Sequence, residues 1–300
     1  MAILNALPGA VAQGMIWGIM AIGVFITFKI LDFADLSVDG SICTGAAVAT
    51  MLVLNGVNVY VAMLVAFLAG AAAGLVTGIL HCGMGIPPIL SGILTQLMLW
   101  SINLKILGQA NRAINSRNYS VIVTQLDIGT SILALAIITA IIVAVLYWFF
   151  GTEAGTSIRV TGSNENMAKA QGINTAVTKI AALMLSNGIV AFAGALLAQY
   201  QGFADINRGR GAIVVGLAAV IIGNALFSKL CRNFAVKLLS VSIGGIIYYI
   251  VYQIVIALGF DTDLLKMLSA VVVAIFLSVP YLTKKYIKKP KKEKKNVGAD

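Results

Sequence analysis

Three aspartates sit where so apolar a chain can least tolerate a charge. Asp35 and Asp39 lie in Phe33-Ala34-Asp35-Leu36-Ser37-Val38-Asp39-Gly40. Asp205 lies in Phe203-Ala204-Asp205-Ile206-Asn207-Arg208-Gly209-Arg210. Each segment follows an apolar run and opens the next, at the edge of or within membrane depth. A lipid-facing carboxylate is expensive there, so these groups must face water, protein or a pathway. Two roles stay open for Asp35, Ser37, Asp39, Asp205 and Asn207. They line a solute route where a half-helix starts, or they cap helices at the interface without touching solute. Gln96 and Asn187, inside the fourth and sixth apolar runs, carry the same ambiguity between a pathway and a tie between helices.

Enzyme chemistry finds no footing. His81 is the single histidine and sits at the end of an apolar run, so neither a metal site nor a Ser-His pair can be built on it without remote partners. No glycine loop followed by Lys-Ser or Lys-Thr is present to cradle a nucleotide. Cys43, Cys82 and Cys231 lie in or beside apolar segments without metal-ligand spacing and read as packed thiols. The expectation is a chain with no catalytic residues, no metal and no cofactor of its own.

The elements that must hold these residues follow from composition. Of 300 residues, 60% are hydrophobic and 11% charged, against roughly 25% charged in a soluble domain. Continuous apolar runs of about twenty residues point to membrane helices rather than to the short alternating strands of a barrel. The chain therefore reads as an all-α polytopic membrane protein. Nine spans can be drawn, at about 8–30, 38–54, 58–82, 87–104, 127–150, 176–200, 211–228, 234–259 and 264–283. The first run lacks a basic leader and reads as a span rather than a cleavable signal. The net charge of +10 is concentrated in the tail 284–300, where eight lysines face Glu293 and Asp300. A lysine cluster beyond a final span marks the cytoplasmic side and not nucleic-acid binding. With that tail inside, nine crossings place the N-terminus outside, and 15 of the 21 Lys and Arg fall inside.

The two Phe-Ala-Asp segments are 170 residues apart, each followed by a Gly- and Ala-rich run. An odd number of spans separates corresponding helices, so the copies have opposite orientation, the mark of an inverted-topology repeat. It divides the chain as 4+1+4: a first repeat over about 8–104, a linking span over 127–150 and a second repeat over 176–283. Gly70, Gly74 and Gly78 in the third span, and Gly14 and Gly18 in the first, have the spacing that lets helices approach closely.

The longest polar interval falls at mid-chain, in a loop over 151–178. Within it a short helix is predicted over Ser163 to Gln171. Ser163 or Asn164 is its cap, Glu165 stands in its first turn and Gly172 ends it. Asn174 or Thr175 then caps the next span. An ordered helix between two spans reads either as a surface turn or as an element held by something in the aqueous phase.

LDFADLSVDGSICTGA, the IPPIL at the start of the fourth span, and the block RVTGSNENMAKAQGINTAVTKIAALMLSNGIVAFAGALLAQY followed by GRGAIVVGLAAVIIGNALF resemble the ABC-importer permeases of the branched-chain amino acid and ribose type. The resemblance covers nearly the whole chain outside the basic tail. It implies a permease subunit in a bacterial cell membrane, paired with a second permease copy. It also implies two ABC ATPase subunits that bind ATP and Mg²⁺, and an extracytoplasmic substrate-binding protein. The family's cytoplasmic coupling helix maps onto Ser163 to Gln171, bounded by Gly162 and Gly172. Asn164, Asn166 and Lys169 are then its polar face toward the ATPase, with Met167 and Ile173 as apolar anchors. The lead-in Ile158-Arg159-Val160-Thr161-Gly162 and the long loop from Lys105 to Gln125 depart from the commoner pattern. They resemble a subgroup some of whose members import aromatic amino acids. The competing expectation is an ion-coupled secondary transporter working through Asp35 and Asp205, since inverted repeats and broken helices suit that equally.

Overall fold

A computed structural model of the chain describes residues 2–114, 119–227 and 233–257, together with 267, 270, 271, 274 and 278. Arg117, Cys231, most of the expected ninth span and the basic tail lie outside the described residues. The other eight expected spans are helices. They are α1 (Ala2–Phe25, continued by a wide turn Ile26–Ile30), α2 (Val38–Leu54), α3 (Val59–Gly78, continued to Gly83), α4 (Pro88–Leu107), α5 (Ile128–Phe149), α8 (Thr175–Gln201), α9 (Ala212–Phe227) and α10 (Phe234–Ala257). Six of these segments are long and apolar enough to cross a membrane, and α2 and α9 are shorter apolar helices.

Between α5 and α8 the polar interval folds into two helices, not one. They are α6 (Glu153–Ser163) and α7 (Glu165–Ala170). The expected helix over Ser163 to Gln171 is thus shorter, and Ser163 closes α6 instead of capping α7. The missed α6 has its own start signal: the Thr152 hydroxyl accepts from Gly155 N, and Glu153 stands in the first turn. The all-α expectation also needs one amendment. Two three-residue strands, β1 (Asn111–Ala113) and β2 (Phe203–Asp205), pair antiparallel with Arg112 opposite Ala204. They join the long loop after α4 to the second Phe-Ala-Asp segment at the bundle end away from α6 and α7.

Helices α1 and α8 are the centre of the bundle. Their apolar windows are 83% and 72% buried, against 28% and 22% for α4 and α5. Small residues make this possible. A Cβ on Gly74 would run into the Leu183 carbonyl, and one on Gly45 into the Ala191 carbonyl, so α3 and α2 lie backbone to backbone on α8. Gly18 likewise sits against Ser242, which holds α1 on α10. The glycines of the first and third spans therefore pack within one chain.

Both central helices end alike. Asp32 (φ 55°) after α1 and Gly202 (φ 76°) after α8 take the left-handed conformation. Asp and Gly are the residues that accept it most readily. Each turns the chain into a Phe-Ala-Asp segment, and they too are 170 residues apart.

Gly74→Val forces backbone apart and is expected to cost at least about 1–3 kcal/mol. Gly129→Ala, whose added carbon meets nothing closer than 3.8 Å, is expected to leave stability unchanged. Thermal unfolding of the purified protein in detergent distinguishes the two.

Candidate functional site

The capped segment stands on the root of α8. Asn164 Oδ1 accepts from Met167 N at 3.0 Å to start α7, and Gly172 (φ 79°) ends it. Asn174, not Thr175, caps α8, accepting from Val177 N at 3.2 Å. Thr175 instead donates its hydroxyl to Glu165 at 3.3 Å. Glu165 also receives Lys179 at 2.7 Å and Lys169 at 3.0 Å. One carboxylate thus ties α7 to the first turn of α8. These cations hold the Glu165 carboxyl at about 2, Lys179 contributing most.

Among the described residues, no other element of the chain covers the outward face of this segment. Asn164, Asn166, Met167, Lys169, Gln171 and Val177 are exposed, Met167 by 53%, while Ala168 is fully buried beneath them. Ile173 is half-buried and its N–H closes the turn on the Ala168 carbonyl at 3.1 Å. Ser163 is exposed and bonds back to Val160 within α6. Gly162 faces inward: a Cβ there would strike the Ile30 carbonyl at the end of α1. Arg159, from the same lead-in, lies 4.3 Å from the Phe234 ring centroid and 5.4 Å from that of Phe150, which fastens α6 to α10 and α5. So α6 touches α1, α5, α8 and α10, and α7 reaches α8 as well.

The membrane-depth aspartates are not alike. Asp35 is 2% exposed and Ser37, Ser41 and Asn187 are fully buried. Asp35 Oδ1 accepts from Ser37 N at 2.9 Å and from the Ser37 hydroxyl at 2.5 Å. Asn187 Nδ2 donates to Asp35 Oδ2 at 2.7 Å and to the Leu183 carbonyl at 3.1 Å. Ser41 donates to Asn187 Oδ1 at 2.6 Å. The network is a polar lock between α8 and the start of α2, closed to solvent in this arrangement. Asp39 does something different: it accepts from Gly211 N at 2.8 Å and Ile213 N at 2.9 Å. It caps α9 from across the bundle. Asp205 Oδ1 accepts from Asn207 N at 2.8 Å, the same local turn that Asp35 makes with Ser37, but Asp205 is half-buried and Asn207 exposed. Gln96 lies half-buried on α4 against Gly40 and is not part of the lock.

Ser41 and Gln199 escaped sequence reading because a single serine or glutamine in an apolar helix carries no pattern. Gln199 accepts from Ile122 N at 2.9 Å and pins the loop before α5 onto α8.

Asn187→Leu leaves Asp35 and Ser41 without their buried partner and is expected to cost about 1–3 kcal/mol or more. The double variant Asp35→Ala/Asn187→Leu should cost less than the two single changes together, as read from thermal unfolding. For Glu165 the folded carboxyl ionises at about 2 against an ordinary 4.5, so its stabilisation is complete above about pH 4.5 and vanishes as pH falls toward 2. Because the pair is partly exposed, the effect is no more than roughly 1 kcal/mol. The stability gap between wild type and Glu165→Gln is expected to be flat above pH 5 and to close in acid.

The family described as branched-chain amino acid transport system / permease component matches residues 7–277. A tyrosine transport system permease protein of Clostridioides difficile (strain R20291) is 40% identical over 275 residues, 92% of this chain and 91% of that one. The uncharacterized protein RP368 of Rickettsia prowazekii (strain Madrid E) is 31% identical over 277 residues, 92% of this chain and 98% of that one. The autoinducer 2 import system permease protein LsrC of Escherichia coli (strain K12 / DH10B) is 30% identical over 197 residues, 63% of this chain and 55% of that one. No solved structure matches. With its bundle of apolar helices and this match along nearly its full length, the chain belongs to the branched-chain amino acid transport system permease family and is the permease subunit of an ABC importer.

Proposed function

We propose that this permease conducts an amino acid with an aromatic side chain, delivered by an extracytoplasmic binding protein and driven by two separate ABC ATPase subunits. The tyrosine-permease name of the relative at 40% identity supports the solute class. ATP and Mg²⁺ belong to the ATPases, and no catalytic residue is needed in this chain. A second permease copy completes the pathway. The assembly lies in a bacterial cell membrane, with α6, α7 and the tail 284–300 on the cytoplasmic side and the N-terminus outside.

The observation that carries this reading is the exposed α7, capped at both ends and tied through Glu165 to the root of α8. A helix docked in an ATPase groove must transmit displacement to the spans, and packed helices switch between arrangements rather than deform smoothly. The chain offers two routes. One is Glu165–Lys179 into α8; the other is Gly162 against Ile30 into the wide turn at the end of α1. ATP biases such a switch only by differential affinity for its two states.

The domain plan is the 4+1+4 inverted repeat, with residues 1–283 forming the transmembrane unit. Its support is the shared 170-residue offset of the Phe-Ala-Asp turns and of the left-handed Asp32 and Gly202. An ion-driven carrier working through Asp35 and Asp205 has less support: Asp35 is sealed by Ser37 and Asn187. It also leaves the exposed face of α7 without a purpose.

Asn166→Trp and Met167→Glu change only exposed positions. In vesicles holding the permease, its ATPase and its binding protein, each is expected to lower ATP-driven amino-acid uptake about tenfold or more, the equivalent of roughly 1.4 kcal/mol of lost coupling. The permease itself should remain folded. Normal uptake in both variants overturns the assignment of α7.

A further inference from the structure

The second Phe-Ala-Asp turn opens onto a cleft of about 440 Å³, within the roughly 300–1,000 Å³ typical of small-molecule sites. Its walls include Trp17 of α1, Asp205 and Arg208 of the turn before α9, and Tyr248, Tyr249 and Tyr252 of α10. The rings form a continuous aromatic surface. Trp17 and Tyr249 stack at 5.7 Å, and Tyr252 lies 5.7 Å from Tyr249. Trp17 is 5% exposed, and among the described residues its buried indole nitrogen has no hydrogen-bond partner. A buried N–H left unpaired costs free energy, and natural proteins keep few of them. Arg208 is exposed and, among the described residues, neither it nor Asp205 has an ion-pair partner.

The site around Asp35 shows what this place looks like when filled. The 170-residue offset that relates Asp205 to Asp35 also relates Trp17 to Asn187. At the Asp35 turn, Asn187 from α8 reaches the aspartate and closes the space with hydrogen bonds. At the Asp205 turn the corresponding residue is Trp17 from α1, and beside it the cleft stays open. A structural lock in one copy is matched by an open cleft in the other.

We infer that this cleft is where the permease itself contacts its solute, and that it takes the zwitterion of an aromatic amino acid. The assignment rests on the functional reading above and adds the contact residues. Arg208 pairs with the carboxylate, Asp205 and the aromatic faces receive the ammonium group, and the side chain lies against the tyrosines and Trp17.

The test uses the permease–ATPase complex in nanodiscs without the binding protein, probed with radiolabelled L-tyrosine by scintillation proximity. Saturable binding is expected, displaced by L-phenylalanine and not by L-lysine. Arg208→Gln should weaken it about tenfold, as loss of one charge-assisted contact does. Tyr252→Leu, which removes a partly buried ring from the cleft wall, should weaken it severalfold, and Arg112→Gln on β1 should not. Absence of saturable binding, or binding indifferent to Arg208→Gln, overturns the cleft assignment. The same preparation, given its binding protein, reports uptake. Uptake that persists without direct binding overturns the cleft alone, whereas uptake of no amino acid overturns the functional reading beneath it.

Discussion

Backbone contact without intervening side chains between α8 and the helices on either side of it is the constraint from which the rest follows. Gly45 and Gly194 join α8 to α2, and Gly70 and Gly74 join it to α3, each with room for a hydrogen atom and nothing larger. In an apolar bundle there is little hydrophobic gain in moving a helix from lipid to protein, so close packing and buried hydrogen bonds must hold it. Close approach is also what lets Asn187 reach Asp35, Ser37 and Ser41 with side chains this short.

The same contact makes α8 a rigid rod that reports at both ends. At one end its first turn carries Lys179 and Thr175, which hold Glu165 of α7. At the other it runs into β2 and the turn bearing Asp205. One continuous element therefore connects the exposed helix α7, the polar lock and the ribbon beyond it. Helix α1 is the companion rod, touched by Gly162 of α6 at one end and carrying Trp17 beside the cleft nearer the other.

The aspartates show how one residue type is put to three uses by its surroundings. Asp35 is sequestered by donors from α8 and its own turn, Asp39 crosses to finish another helix, and Asp205 remains at an open cleft. Membrane-depth carboxylates need partners, and here two of the three find them wholly within the chain. Of the readings left open by sequence, capping is what Asp39 does, Asp35 is held in a buried tie between helices, and Asp205 borders the cleft. Asn103, donating to the Gly40 carbonyl at 3.4 Å, and Asn187 are ties between helices, the commoner fate of such amides.

Helix existence was legible because hydropathy over twenty residues is a strong local signal, and eight expected spans are helices within a few residues of their predicted bounds. The stop at Gly172, the cap choices around Asn164 and Asn174, and the paired Phe-Ala-Asp turns were legible because caps and left-handed turns depend on residues adjacent in sequence. Helix α6 was missed because Thr152 to Ser163 mixes helix formers with glycine and threonine, and only packing on Ile30 and Phe234 makes it worth forming. What sequence determined alone was therefore the membrane environment, the order of spans and the punctuation between them, all properties of neighbouring residues. Which aspartate is locked, which one caps a helix 172 residues away and which one borders an aromatic cleft was decided by the tertiary structure. Those outcomes depend on which helix faces which, and α8 and α1 reach their partners only once the bundle is assembled.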